Sequence, residues 1–283
     1  MKRVIITGDD FGLAIPVNSA IIQAHLRGIL TTASLMVSAE ASAHAIEEAR
    51  AHPTLRVGLH LVLVEGRPVL PPEMIPDLLD RNGELSNRFV LSGIRFFFVP
   101  GIRKQLEAEI RAQFEAFRRT GLRLDHVNSH NHMHLHPTLF EMMIRIGKDY
   151  GITAVRVPLE APLASWRASR KSLTARLASW VFLYPWAARV RRRVKEEGLK
   201  YNNFLFGMGE SGNMTLDVVL AQIGQLKNGV TEIYFHPADA RSAVLQETMP
   251  GYRHEMEFQT LINPATRLAL TAANAQLCSY SDL

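Results

Sequence analysis

One cysteine, Cys278, in 283 residues excludes an internal disulfide, and its place in the polar tail AQLCSYSDL says nothing of catalysis. A reducing cytoplasm is the expected setting. Nowhere do apolar residues run uninterrupted for about 18 positions, roughly what a membrane span requires, so no crossing of a bilayer is expected. The opening MKRVIITGDDFG sets only Val4, Ile5 and Ile6 between two basic residues and a pair of acids, too short for the apolar centre of an export signal. No repeat of fixed length is present, which excludes a solenoid. Charged residues make up 21% of the chain and hydrophobic ones 47%, a balance that excludes general disorder and leaves ample apolar material for a core.

The net charge of +5 would suit a nucleic-acid partner if it were spread over a binding face, but the excess lies in one stretch. Between Pro162 and Lys200 stand ten basic residues, Arg167, Arg170, Lys171, Arg176, Arg189, Arg191, Arg192, Arg193, Lys195 and Lys200, against only Glu196 and Glu197. The rest of the chain is slightly acidic, and no nucleic-acid partner is expected. The same stretch holds every tryptophan, Trp166, Trp180 and Trp186, with Phe182, Leu183 and Tyr184 among them. Rings interleaved with cations suit an anionic membrane interface, and the bland alternative is a solvated helical face with a few core aromatics. Pro185 is expected to divide the stretch into two short helices.

Short β-branched runs alternate with segments of helical period. Strands are expected at 3–7, 32–37, 56–61, 122–128, 154–157, 203–206 and 232–235, with helices at 16–27, 41–51, 103–120 and 137–150. In the third helix Leu106, Ile110, Phe114 and Phe117 mark one apolar face. Gly28, Gly121 and Gly151 stand where left-handed caps would end helices. Such alternation predicts a parallel α/β sheet. Asp9, Asp10, His60, His130, Arg156 and His236 each fall at or just past the end of a different expected strand or share one, and those ends converge on one mouth when parallel strands close. The expected fold is therefore a single domain over 1–283, a distorted (β/α) barrel of seven strands with a basic helical insert at about 162–200.

Four constellations carry the chemistry. Gly8, Asp9, Asp10, Phe11 and Gly12 put adjacent acids in a glycine-flanked loop, where two carboxylates can take separate roles; a turn or helix cap is the alternative. His60 lies in the apolar strand GLHL, a place where a satisfied core histidine is the ordinary occupant. DHVNSHNHMHLHP holds five of the chain's eleven histidines in thirteen positions. No ordinary core needs that many imidazoles at a strand end, and imidazole is the commonest ligand for transition metals. Last, His236 precedes Pro237, with Asp239 close behind.

DDFG, TTASLMVS, GLHL, SHNHMH and FHP, in this order over most of the chain, resemble the YdjC family of carbohydrate deacetylases, which includes the chitooligosaccharide deacetylases. The resemblance implies one divalent ion held by Asp10, His60 and His130, with zinc favoured over magnesium, manganese, nickel or cobalt. An ion so held activates water and polarises an amide carbonyl. By analogy with better-known deacetylases Asp9 is the base and His236 the acid, while His132 and His134 are assigned to the sugar pocket and Arg156 to orienting a neighbour or the acetyl group. Many relatives have Asp where this chain has Asn128; the change removes a carboxylate partner for a ligand histidine, and Asp125 is the candidate replacement.

RFFFVP, RKQLEAEIRAQFEAF and the basic aromatic stretch resemble the branch associated with hopanoid biosynthesis. That likeness implies removal of acetyl from an N-acetylglucosaminyl lipid by a cytoplasmic protein resting on the inner face of the membrane through the stretch 162–200. The alternatives are a deacetylase of soluble chitooligosaccharides and a non-catalytic, metal-containing carbohydrate-binding barrel. Two-metal phosphoester hydrolysis would demand more carboxylate ligands than the sequence places.

Overall fold

The runs read as strands lie side by side in one parallel sheet. The structure, a computed structural model, describes residues 1–283. Its strands are β1 (Lys2–Phe11), β2 (Thr32–Leu35), β3 (Arg56–Leu61), β4 (Leu124–Ser129), β5 (Ala154–Val155), β6 (Lys200–Tyr201), β7 (Phe204–Phe206), β8 (Gly229–Phe235) and β9 (Ala275–Leu277). Eight follow the order β6-β5-β4-β3-β2-β1-β8-β7, and β9 pairs with the amino-terminal end of β1 at Lys2–Val4. The helices are α1 (Ile15–Arg27), α2 (Ser42–Ala51), α3 (Phe89–Phe98), α4 (Pro100–Arg119), α5 (Pro137–Asp149), α6 (Pro162–Ser169), α7 (Leu173–Glu196), α8 (Leu216–Ile223), α9 (Ala243–Thr248), α10 (His254–Ile262) and α11 (Pro264–Ala272).

Eight strands along the path replace the expected seven, because the expected strand 203–206 is preceded by the separate β6. Asn202 makes the break, and its side chain does the pairing there: Oδ1 accepts from the Val157 N–H at 2.7 Å and Nδ2 donates to the Val157 carbonyl at 2.9 Å. β6 and β7 are two residues apart in the chain yet stand at opposite ends of the sheet, so the sheet must curl. The result is a curled half-barrel.

Side-chain alternation along β1 sorts the two faces. Val4 and Ile6 join the main apolar core under the helices, while Ile5 joins a small inner cluster with Ala154, Val230, Cys278 and Tyr280. Thr7 and Asp9 continue that inner face by period. Gly8 points the other way, where a Cβ would meet Ile21 Cγ1 at 2.8 Å, so α1 can lie flat on the strand. The inner face is filled chiefly by polar groups: Thr32, Ser34, Asp125, His126, Asn128, Arg156, Asn202 and Glu232 are all at most 1% exposed. Along α4, Leu106, Ile110, Phe114 and Phe117 are buried as their spacing predicts. Gly121 and Gly151 take the left-handed backbone expected of caps; Gly28 does not, and its need for hydrogen is the Leu261 carbonyl packed against it.

Pro185 does not divide the basic stretch. The break falls at Arg170 to Ser172, where Arg170 and Ser172 are left-handed, and α7 runs unbroken through Pro185. The proline removes one donor from the helical ladder, at an exposed position where water can reach the Val181 carbonyl it leaves. The two halves of α7 differ. Its carboxyl-terminal half buries Ala187, Val190 and Val194, and three of its four arginines are ion-paired, Arg189 and Arg193 with Glu141 at 3.1 and 3.3 Å and Arg192 with Glu196 at 3.3 Å, while Arg191 lies over the Tyr201 ring. Its amino-terminal half stands out from the body, with Val181 65% and Phe182 72% exposed. α3 likewise turns Val90, Leu91, Ile94, Phe97 and Phe98 outward.

Candidate active site

The site forms where β1, β3, β4 and β8 end. Neighbouring residues of a strand point to opposite faces, so Asp9 and Asp10 can reach one site only if the backbone turns between them. It does so: the register with β2 shifts between Gly8 and Phe11, and Asp10 takes φ +61°. A bulge of this kind re-aims a side chain. Asp10 thereby meets the two histidines carried by β3 and by the end of β4. Its Oδ1 lies 3.3 Å from His60 Nε2 and 3.2 Å from His130 Nδ1, and candidate ligand atoms of the three residues all lie within 4.8 Å of one another.

These donors suit a divalent cation. One carboxylate and two imidazoles are the hard-to-borderline set that zinc and its neighbours accept. Asp10 Oδ2 is buried without a hydrogen-bond partner, an orphaned acceptor that a cation would satisfy. His60 is held in the right tautomer by Asn128, whose amide oxygen accepts from Nδ1 at 2.7 Å and leaves the Nε2 lone pair toward Asp10. The Asn128 amide group fixes that orientation, with Nδ2 donating to Ser34 Oγ at 2.9 Å and to Asp9 Oδ1 at 3.3 Å. Asn128 thus fills the role for which Asp125 was the candidate, since a carbonyl oxygen accepts as a carboxylate does. Asp125 is engaged elsewhere, with His126 at 3.0 Å and Ser281 Oγ at 2.6 Å.

Asp9 is gripped from below. Arg156, wholly buried, donates Nη1 and Nη2 to its two oxygens at 2.6 and 2.9 Å, and Nε and Nη2 to Glu232 at 3.0 and 2.8 Å. Thr7 Oγ1 and Tyr280 OH, each 2.6 Å away, complete the shell of Glu232. Burial opposes ionisation of Asp9, but Arg156, with His60 and His236 nearby, outweighs it and holds the carboxyl well below the usual range.

A cavity of about 310 Å³ opens above this floor, with Asp9, His60, His130, His132, Tyr234, His236 and Tyr252 on its wall. His132, left-handed at φ +51°, sets Nε2 3.1 Å from Tyr234 OH. His134 lies below the wall. Ser129 Oγ is 2.7 Å from its Nδ1 and the Arg156 carbonyl 3.1 Å from its Nε2, and burial with Arg156 nearby pushes its pKa down to about 3, so the ring is a neutral brace of the loop. Arg156 also lies beneath the wall rather than on it. The structure therefore gathers Asp9, His60, His130, His132 and His236 on the wall of one cavity, sets Asp10 directly behind His60 and His130, and leaves His134 and Arg156 supporting it.

His236 is positioned through its backbone: its N–H donates to Glu257 Oε2 at 2.6 Å and its carbonyl accepts from His254 Nδ1 at 2.7 Å. Burial lowers the imidazole pKa although Asp10 and Asp9 pull the other way. Burial without a cation raises Glu257 to about 7, against two backbone donations from Met214 and His236. Glu232 and Tyr234 were missed in the sequence, yet a signal was present: Glu232, Tyr234 and His236 alternate along one strand face. Glu257 and Tyr252, whose ring lies 5.2 Å from that of His236, carry no comparable signal.

Fold and site define a parallel α/β protein with a cluster of metal-ligating type at the carboxyl ends of its strands. The chain belongs to the YdjC-like protein family, whose match spans residues 3–272. It is 36% identical over 282 residues to a carbohydrate deacetylase of Brevibacillus brevis, covering 99% of each chain. It is 38% identical to a carbohydrate deacetylase of Geobacillus stearothermophilus, covering 99% of this chain and 98% of that one. A crystal structure from Enterococcus faecalis V583, provisionally named for cellobiose-phosphate cleavage, shares the fold with a TM-score of 0.75 at 24% identity, over 99% of this chain and 98% of the other.

Proposed function

We propose that the protein is a metal-dependent carbohydrate N-deacetylase that removes acetyl from an N-acetylglucosaminyl lipid, a hopanoid in the reading closest to the sequence. The observation that carries the reaction is that His60 and His130, grouped with Asp10, line one cavity together with Asp9 and His236. The names of the relatives support the same class. Asp10, His60 and His130 would hold the ion, zinc favoured, which when bound supplies Lewis acidity toward an amide carbonyl. Asp9 takes the proton of the attacking water; its grip by Arg156 makes it a weak base held in one place. His236 gives a proton to the departing amine as the C–N bond breaks and acetate forms. His132 and Tyr234 border the space for the sugar.

Acetate release by the zinc-loaded protein, from an N-acetylglucosaminyl lipid and from N,N′-diacetylchitobiose, tests this reading. Asp9→Asn is expected to keep the metal and lose about a hundredfold or more in turnover, the range for a general base. Near-normal turnover would move the base elsewhere, and absence of acetate from either substrate would favour a carbohydrate-binding barrel.

The lipid reading places the protein on the inner face of the membrane. No helix is long and apolar enough to cross a membrane. Support comes from the outward apolar faces of α3 and of the amino-terminal half of α7, where Val90 is 78% and Phe98 69% exposed, near the exposed cations Arg88, Lys104, Arg167 and Arg170. Each juxtamembrane cation contributes roughly 1 kcal/mol near an anionic surface. Because the Arg189–Arg193 cluster is largely paired, the rings are the sharper probe. Val181→Ser with Phe182→Ser is expected to cut co-sedimentation with phosphatidylglycerol vesicles several-fold, and unchanged co-sedimentation would remove the membrane reading.

A further inference from the structure

Beside the catalytic cavity lies a larger one, of about 540 Å³, that none of the catalytic assignments uses. It is walled by the amino-terminal half of α7 on one side and by the segments after β5 and β7 on the other. Met208 and Ser211 line both cavities and form the partition between them. Its volume is within the ~300–1,000 Å³ usual for a small-molecule site.

The charged groups around this cavity satisfy one another. Glu210 pairs with Arg176 and, at 3.3 Å, with Lys171; Arg176 also donates to Ser169 Oγ at 2.7 Å, and Glu160 accepts from the Gly209 N–H at 2.6 Å. What remains to meet a ligand is mainly the apolar surface of Leu159, Pro162, Trp180, Leu183, the Tyr184 ring and the flexible thioether of Met208, with the hydroxyls of Ser172 and Ser179 beside it. The Trp180 and Tyr184 rings lie against each other with centroids 4.5 Å apart and planes tilted by 38°, which stiffens that wall. α7 thus has two apolar sides, one lining the cavity and the other, at Leu177, Val181 and Phe182, facing outward.

We propose that this second cavity is the subsite for an apolar aglycone, the part of an acetamido-sugar substrate that stays attached to the sugar while its acetyl group lies among Asp9, His60 and His130. The inference rests on the deacetylase reading for the sugar end and on the cavity alone for the apolar end. The shared partition sets the geometry: an amphiphile whose sugar fills the smaller cavity passes its chain or ring system across Met208 to the wall of α7.

Two glycosides with the same sugar separate the parts, methyl and octyl 2-acetamido-2-deoxy-glucopyranoside, the octyl form kept below its micelle concentration. The zinc-loaded protein is expected to show kcat/KM at least tenfold higher on the octyl glycoside, carried by KM. Trp180→Ala, which removes the wall, and Leu183→Asp, which puts a charge in it, are each expected to bring the octyl-to-methyl ratio close to one. Equal kcat/KM on the two glycosides in the unaltered protein, or a ratio that survives both variants, overturns the proposal. Octyl glucoside, which has no acetyl group, gives an independent reading: its titration is expected to shift tryptophan fluorescence, and Trp180→Phe to remove most of the shift. A fluorescence shift without acetate release from either glycoside would count against the deacetylase reading and leave the subsite standing, whereas no shift with octyl glucoside overturns the subsite.

Discussion

Asp10→Ala, His60→Ala and His130→Ala are each expected to lose bound zinc and acetate release together. Three protein ligands with an open position are the ordinary complement of a catalytic zinc, so each of the three is needed to hold it. Each loss leaves two donors, and the affinity should fall by more than the ~10–100-fold typical of removing an outer hydrogen-bond partner. Asn128→Ala supplies that milder comparison, because it frees Nδ1 of His60 without touching a ligand atom. Metal content after dialysis, measured beside circular dichroism to show an intact fold, reads the result. Full zinc occupancy in all three alanine variants would sink the metal assignment, and an Asn128→Ala loss as large as theirs would mean that Asn128 does more than orient a ring.

Arg156→Met is expected to be the most destabilising single change in the protein. The guanidinium is wholly enclosed and neutralises two enclosed carboxylates, Asp9 and Glu232. Methionine matches much of its volume but leaves both acids without a cation. Breaking a buried pair by removing one partner costs about 3–5 kcal/mol, and here two acids are stranded. Urea unfolding followed by fluorescence is the measure, and a loss under about 1 kcal/mol would show that water or a proton replaces the arginine at little cost. Adding Glu232→Gln to Arg156→Met should restore part of the loss, since one stranded charge is gone. No such rescue would place the defect in packing rather than in charge.

What was legible in the sequence was local. Strand period found β3 at its true bounds, and histidine density found the loop after β4, because both are properties of neighbouring residues. The ends of strands converge whatever the sheet's closure, so Asp9, Asp10, His60, His130 and His236 could be placed together without knowing the topology. Arg156 and His134 were harder. A polar residue at a strand end looks alike in one sequence whether it reaches the cavity or turns under it, and only the enclosed carboxylates of Asp9 and Glu232 show that Arg156 turns under. Pro185 misled for a related reason. A proline breaks a helix when the carbonyl it abandons has no other partner, and solvent access on the projecting half of α7 is a fact of three dimensions.

β1 draws its partners from both ends of the chain: β2 from the first few dozen residues, β8 and β9 from the last sixty or so. Tyr280 and Ser281 then reach under the sheet to bind Glu232 and Asp125. During synthesis the strand that carries Asp9 and Asp10 emerges first and must wait for nearly everything else. Pairings so distant in sequence make folding slow, because the closure of a long loop precedes any reward. Until β8 and β9 arrive, the edge of β1 is open and Arg156 lacks Glu232, the second of its two carboxylate partners. The nascent chain should therefore depend on being held apart from others while it is made, and separately expressed halves should meet the same difficulty, since one contains β1 and the other the β8 and β9 that complete it.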